Sequence, residues 1–109
     1  MQSSAEVYKI FNALGDPNRF AIFQRICRGS VSVSDLAVSL DISLPAVGQH
    51  ISILEDCQLA KSMKIGRVRT CTINPIGLNR AESWIQKHMK MWEARLDRLS
   101  DLLDEEERK

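Results

Sequence analysis

Two histidines, His50 and His88, and three cysteines, Cys27, Cys57 and Cys71, are the side chains of this 109-residue chain suited to be a neutral-pH base, a nucleophile or a soft metal ligand. Their spacing argues against those uses. His50 and Cys57 stand seven residues apart in a segment of helical periodicity, roughly 10.5 Å along the axis and too far for a nucleophile and its base. There is no glycine-rich phosphate loop and no local pair of carboxylates in a plausible pocket. An enzyme is therefore not expected, and no cofactor is implied. The cysteines are odd in number, widely spaced and without a C-x-x-C, which suits a reducing compartment and thiols that serve as small buried apolar groups. One redox use stays open: oxidation of Cys57 or Cys71, with Lys61, Arg69 and the neighbouring bases lowering a thiolate pKa.

Charge points elsewhere. The chain holds 15 basic and 14 acidic residues, so it is no globally basic nucleic-acid glue. Yet Lys61, Lys64, Arg67 and Arg69 cluster without an intervening acid, while Asp101, Asp104, Glu105, Glu106 and Glu107 cluster without a base. The first stretch can face an anion and the second cannot. The start, MQSSAEVYKIF, lacks an apolar signal core, and no run reaches the roughly eighteen apolar residues of a membrane span. A cytoplasmic protein with no membrane partner is expected.

The elements that must carry these residues follow from periodicity. Ala5, Val7, Tyr8, Phe11 and Leu14 form a helical stripe over 3–14, capped by Ser3 or Ser4 and stopped at Gly15. Asp16-Pro17 is a paired start signal for a second helix, with Phe20, Phe23, Ile26 and Cys27 inward and Gly29 at its end. A short extended piece, Ser30-Val31-Ser32, precedes a helix from Val33 to Leu40, and Asp41-Ile42-Ser43 turns into another that reaches Cys57. Segment 33–57 thus reads as a helix-turn-helix. "AKSMKI" and "VRTCTI" flank Gly66-Arg67 as a hairpin over 60–74, and Asn74-Pro75 starts a last helix over 75–104.

This order predicts a mainly α fold with a small β-hairpin, a single winged helix-turn-helix domain over 1–109. In that architecture the second helix of the motif enters the major groove and the hairpin follows the backbone or the minor groove. Val47, Ile51 and Leu54 share one face of 43–57, leaving Pro45, Ala46, Gly48, Gln49 and Ser52 on the other. Gln49 offers the paired donor and acceptor that suit adenine. Lys64, Arg67 and Arg69 are the wing's candidates for phosphate or minor-groove contact. Pro45 falls in the first turn behind the Ser43 cap, where its missing donor costs little. Gly48 has no such excuse, and close approach of its backbone to DNA would account for it; tight helix packing is the competing reason.

At these residues the chain resembles a known family. "LGDPNRFAIFQRI", "SVSDLAVSLDISLPAVGQHISILEDCQLA" and "GRVRTCTINP" look like the ArsR/SmtB-type winged-helix repressors of bacteria, in the branch with a long terminal helix. The resemblance implies a homodimer built on the first and last helices that represses from an inverted-repeat operator. The family's S-x-x-x-V-S-x-H-L pattern falls on Ser43, Val47, Gly48, His50 and Ile51, with Leu44, Pro45, Gly48, Gln49 and His50 at groove-facing positions; Gly48 replaces the usual serine. Where metal-sensing members carry E-L-C-V-C-D-L, this chain has Val31-Ser32-Val33-Ser34-Asp35-Leu36, with hydroxyls in place of both thiolates. His88 stands alone on the last helix, so no metal is expected there either.

Ile85, Met89, Trp92, Leu96, Leu99 and Leu103 recur at spacings of 4, 3, 4, 3 and 4, a heptad-like stripe on a helix of roughly 45 Å, longer than the body of so small a domain can cover. With Val7 and Phe11 of the first helix they form the expected subunit interface. A protein-interaction module using the terminal helix is the competing class. Trp84, Met89, Met91 and Trp92 could alternatively line an apolar pocket for a small-molecule effector.

Overall fold

Every helix that the caps announce begins on its cap. The computed structural model describes residues 4–108, so Ser3 lies outside the described residues. Helix α1 spans Ser4–Leu14 and α2 spans Pro17–Cys27. Between them Asp16 stays extended and its Oδ2 accepts from the Arg19 amide at 3.0 Å, while Pro17 takes the first helical position, where no amide proton is needed. Strand β1 (Val31–Ser32) runs straight into α3 (Val33–Leu40), whose cap is the Ser32 hydroxyl, accepting from the Asp35 amide at 3.0 Å. Asp41, with φ of 54°, turns the chain out of α3, and the Ser43 hydroxyl accepts from the Ala46 amide at 3.3 Å to open α4 (Leu44–Asp56).

Strands β2 (Ala60–Ile65) and β3 (Val68–Ile73) form the wing, and α5 runs from Pro75 to Glu107. Gly66 adopts φ of 64°, the positive value that a two-residue turn between right-twisted strands requires at its first central position. The hairpin is part of a larger sheet: β1 pairs antiparallel with β3, in the order β1-β3-β2, with Val31 opposite Cys71. This third strand anchors the root of the wing to the body. The core beneath it draws on every helix, and Ile22, Val47, Leu54, Leu59 and Cys71 are wholly inaccessible. Among the described residues no single helix is long and apolar enough to cross a membrane.

The inward faces of the first two helices differ from those expected. In α1 the buried residues are Val7, Ile10 and Ala13, whereas Tyr8 is 68% and Phe11 41% exposed. Val7, expected at a subunit interface, is therefore used inside the protomer. In α2 Ile22 joins Phe23 and Ile26 in the core, and Phe20 and Cys27 are exposed. The reason is common to both helices: each has an apolar arc wider than one small core can cover. Which edge turns inward depends on where the neighbouring helices stand. Cys27 thus departs from the buried reading, Cys57 is half-buried, and Cys71 alone is fully enclosed.

Helix α5 has 33 residues, about 50 Å at 1.5 Å per residue. Only Gly77 and Ala81 are buried along it, and the molecule is 74 Å in its longest dimension against 30 and 21 Å in the others. Trp84 in its third turn still packs edge to face on Phe11 of α1, with ring centroids 5.7 Å apart, and beyond Met91 the helix projects from the body. Ile85, Met89, Trp92, Leu96, Leu99 and Leu103 are between 43% and 61% exposed.

Candidate nucleic-acid interface

Packing decides which face of α4 is presented. Val47, Ile51 and Leu54 lie inward, and the opposite face carries Leu44, Pro45, Gly48, Gln49 and Ser52, all exposed, with Ala46 half-buried at its edge. A methyl group placed on Gly48 would meet nothing within 4 Å. Tight helix packing is therefore not the reason for this glycine; it leaves bare helix backbone facing outward. His50 is turned aside from this face. Its Nδ1 stands 3.9 Å from Asp16 Oδ2 and has no hydrogen-bond partner, so His50 sits against the start of α2.

The wing flanks α4 from one side. Strand alternation puts Ala60, Ser62 and Lys64 of β2 on the same face as Ile73, Cys71 and Arg69 of β3, because the register pairs them in that order. Residues 63–69 are all exposed, with Arg67 beside Gly66 at the tip. Lys64 and Arg67 make no hydrogen bond or ion pair among the described residues. Arg69 differs: its Nη2 donates to Ser62 Oγ at 3.3 Å, and the Ser62 hydroxyl donates to Glu55 Oε1 of α4 at 3.2 Å. Of the three bases expected to contact phosphate or the minor groove, Arg69 is thus tied to Ser62, whereas Lys64 and Arg67 have no partner among the described residues.

The cysteines offer no reactive thiolate near the wing. Burial, reinforced by the Asp56 charge, raises the Cys57 pKa, and its Sγ donates to the Lys9 carbonyl at 3.4 Å. Burial, with Glu55 adding to it, pushes Cys71 from an ordinary 9.0 up to about 11. The lowering expected from Lys61 and Arg69 is not found: only Lys9 and Arg19 favour a thiolate, at Cys57, and exclusion of water from that thiol outweighs them. An alkylating reagent at pH 8 is accordingly expected to modify Cys27 first, Cys57 slowly, and Cys71 only after unfolding, as read by peptide mass spectrometry. The stability that the protonated Cys71 contributes is complete below pH 9.0 and is lost as pH rises toward 11, since the unfolded thiol ionises first.

Elsewhere, no group of three or more His, Cys, Asp or Glu among the described residues could hold a metal ion. His88 stacks on Trp84 with ring centroids 3.9 Å apart and its Nδ1 lies 2.9 Å from the Trp84 carbonyl. Trp84 and Met91 line an open groove of about 970 Å³ together with Tyr8 and Phe11 of α1. Met89 and Trp92 are not part of it.

Comparison with known proteins agrees with this geometry. The model of the arsR family of bacterial regulatory proteins matches residues 16–62, from the α2 cap through the root of the wing. The HTH-type transcriptional regulator Rv2034 of Mycobacterium tuberculosis is 31% identical over 98 residues, covering 90% of this chain and 89% of that protein. The crystal structure of an ArsR family transcriptional regulator, RHA00566, superposes with a TM-score of 0.77 at 39% identity over 84% of this chain and 95% of the other. A Mycobacterium bovis structure described as a homodimeric winged helix-turn-helix DNA-binding domain shares the fold at 18% identity, with a TM-score of 0.63 over 85% of this chain and 90% of that one. The chain therefore belongs to the ArsR family of bacterial regulatory proteins, and it is a winged helix-turn-helix transcriptional regulator rather than an enzyme.

Proposed function

We propose that this regulator is a homodimeric repressor of an inverted-repeat operator, reading the major groove with the exposed face of α4 and holding the flanking phosphates with the wing. The observation that carries this reading is the face of α4 opposite the core. It presents Leu44, Pro45, Gly48, Gln49 and Ser52 around a stretch of uncovered backbone, beside a wing whose Lys64 and Arg67 have no partner among the described residues. Gln49 is placed to read a base edge and Leu44 to meet a thymine methyl. Lys64 and Arg67 supply charge without sequence information. The partly exposed stripe on α5, together with Tyr8 and Phe11 of α1, supports the dimer, and two-fold symmetry calls for half-sites about one helical turn apart. The direction of control, repression, rests on the family resemblance.

The test is titration of genomic fragments selected by the purified protein across a salt series. Site-specific binding should weaken with a log–log slope of about 0.9 for each phosphate neutralised. Arg67→Ala should weaken all sequences alike, whereas Gln49→Ala should change preference at one position per half-site. Gly48→Ala should raise the stability of the unbound protein by about 1 kcal/mol while impairing operator binding. Binding that ignores both salt and sequence would instead favour the interaction-module reading.

A further inference from the structure

Glu55 lies in the last turn of α4, Ser62 is the third residue of β2 and Arg69 the second of β3. The three are joined in one chain. Ser62 Oγ donates its single proton to Glu55 Oε1 at 3.2 Å and accepts from Arg69 Nη2 at 3.3 Å, a pattern a hydroxyl can satisfy in full. This chain bridges the recognition helix and both strands of the wing at one point.

Its position gives it leverage. Ser62 is half-buried and faces the enclosed Cys71 across the hairpin, while everything from 63 to 69 is exposed. The wing is therefore a lever whose root lies at Ser62 and whose tip is Gly66-Arg67. Four residues of strand span about 13 Å, so a 10° rotation at the root displaces the tip by about 2 Å, enough to lose a hydrogen bond to a phosphate.

The chain also acts on charge. The register sets Arg69 directly opposite Lys64, where like charges repel. Turning Arg69 back onto Ser62, toward the Glu55 carboxylate, relieves that repulsion and leaves Lys61, Lys64 and Arg67 as the wing's exposed cations without a partner among the described residues.

We propose that Glu55 and Ser62 are positioning residues for DNA recognition: through Arg69 they set the angle of the wing against α4 and withhold one cation per protomer from the phosphate backbone. Specificity then depends more on base contacts from α4 than on total charge. The inference rests on the DNA-binding reading above.

The experiment compares the full-length wild type with Ser62→Ala, Ser62→Thr and Glu55→Gln, using the selected operator fragment and a shuffled duplex of equal length across a salt series, with thermal unfolding alongside. Ser62→Ala should weaken operator binding by about tenfold and reduce the ratio of operator to shuffled affinity, with its Tm close to wild type. Ser62→Thr, which keeps the hydroxyl, should restore both. Glu55→Gln should tighten binding to the shuffled duplex and steepen the salt slope by about 0.9 per protomer, or about 1.8 per dimer. If the wild type binds its operator and these variants leave ratio and slope unchanged, the positioning role is overturned while the DNA-binding reading stands. A loss that Ser62→Thr does not restore overturns it too, as a packing effect. A wild type that binds no duplex at all overturns both.

Discussion

Gly77→Ala is expected to destabilise the protein by about 3 kcal/mol or more, a fall in Tm of roughly 15 °C, read by thermal unfolding. Gly77 is the third residue of α5, and it packs on the C-terminal end of α4. A Cβ there would lie 2.6 Å from the carbonyl oxygens of both Cys57 and Gln58. Neither oxygen can retreat cheaply. The Gln58 carbonyl accepts from the Gly77 amide at 2.7 Å, Gln58 itself holds φ of 58°, and its side chain accepts from Arg80 at 2.6 Å. This joint fixes the direction in which α5 leaves α4, so, under the proposed function, a variant that survives should also bind operator poorly. Wild-type stability in Gly77→Ala would mean that α5 does not dock on α4 this closely. The contrast with Gly48 is instructive: a methyl at Gly48 meets nothing, so the same substitution should stabilise there.

Leu96→Glu is the second large effect. In the proposed dimer the stripe from Ile85 to Leu103 packs against a second copy, and Leu96, 57% exposed in the protomer, lies in the middle of that stripe. Burying a leucine stabilises by about 1.5–3 kcal/mol, and a carboxylate in its place adds the cost of desolvating a charge. About 4 kcal/mol per dimer corresponds to roughly a thousandfold weaker self-association. Analytical ultracentrifugation should show a monomer at micromolar concentration, with the helical circular dichroism largely kept because Leu96 is not part of the protomer core. Operator affinity should fall by a factor of about 10² or more, since linking two half-site readers raises affinity by that order. Should the variant remain a dimer, the interface lies elsewhere, and the groove between α1 and α5 that contains Phe11 and Trp84 becomes the place to look.

How far these sites could be read in advance depended on the range of the interaction concerned. Caps and turns are local chemistry: a serine or aspartate side chain and an amide three residues on. Accordingly Asp16, Ser32, Ser43 and Asn74 each accept from a nearby amide at a helix start, and the wing strands have the bounds predicted from their turn residues. The inward face of α4 was equally plain, because Val47, Ile51 and Leu54 are the only apolar arc that helix has of sufficient width to cover the core.

The misreadings lie where a side chain's partner is far away in the chain. Arg69 stood beside Arg67 as a candidate for phosphate or minor-groove contact, and nothing local announces that Ser62, seven residues away, will link it toward Glu55. His50 matched a groove-facing pattern yet stands against Asp16, 34 residues earlier. Gly77 carried no signal at all, since a glycine in the first turn of a helix is unremarkable until another helix end is placed against it.

By itself, then, the sequence determined the element order, the helix starts to within a residue, the exposed face of α4 and the family to which the chain belongs, because these follow from periodicity, capping and motif order within short stretches; the last helix, expected to end at 104, runs on to Glu107. Tertiary structure alone decided which edges of α1 and α2 turn inward, that β1 completes a three-stranded sheet, that Gly77 has no room for a Cβ and that Arg69 meets Ser62. Each of these depends on distant backbone brought within a few ångströms, and that proximity is a property of the packed chain rather than of any segment in it.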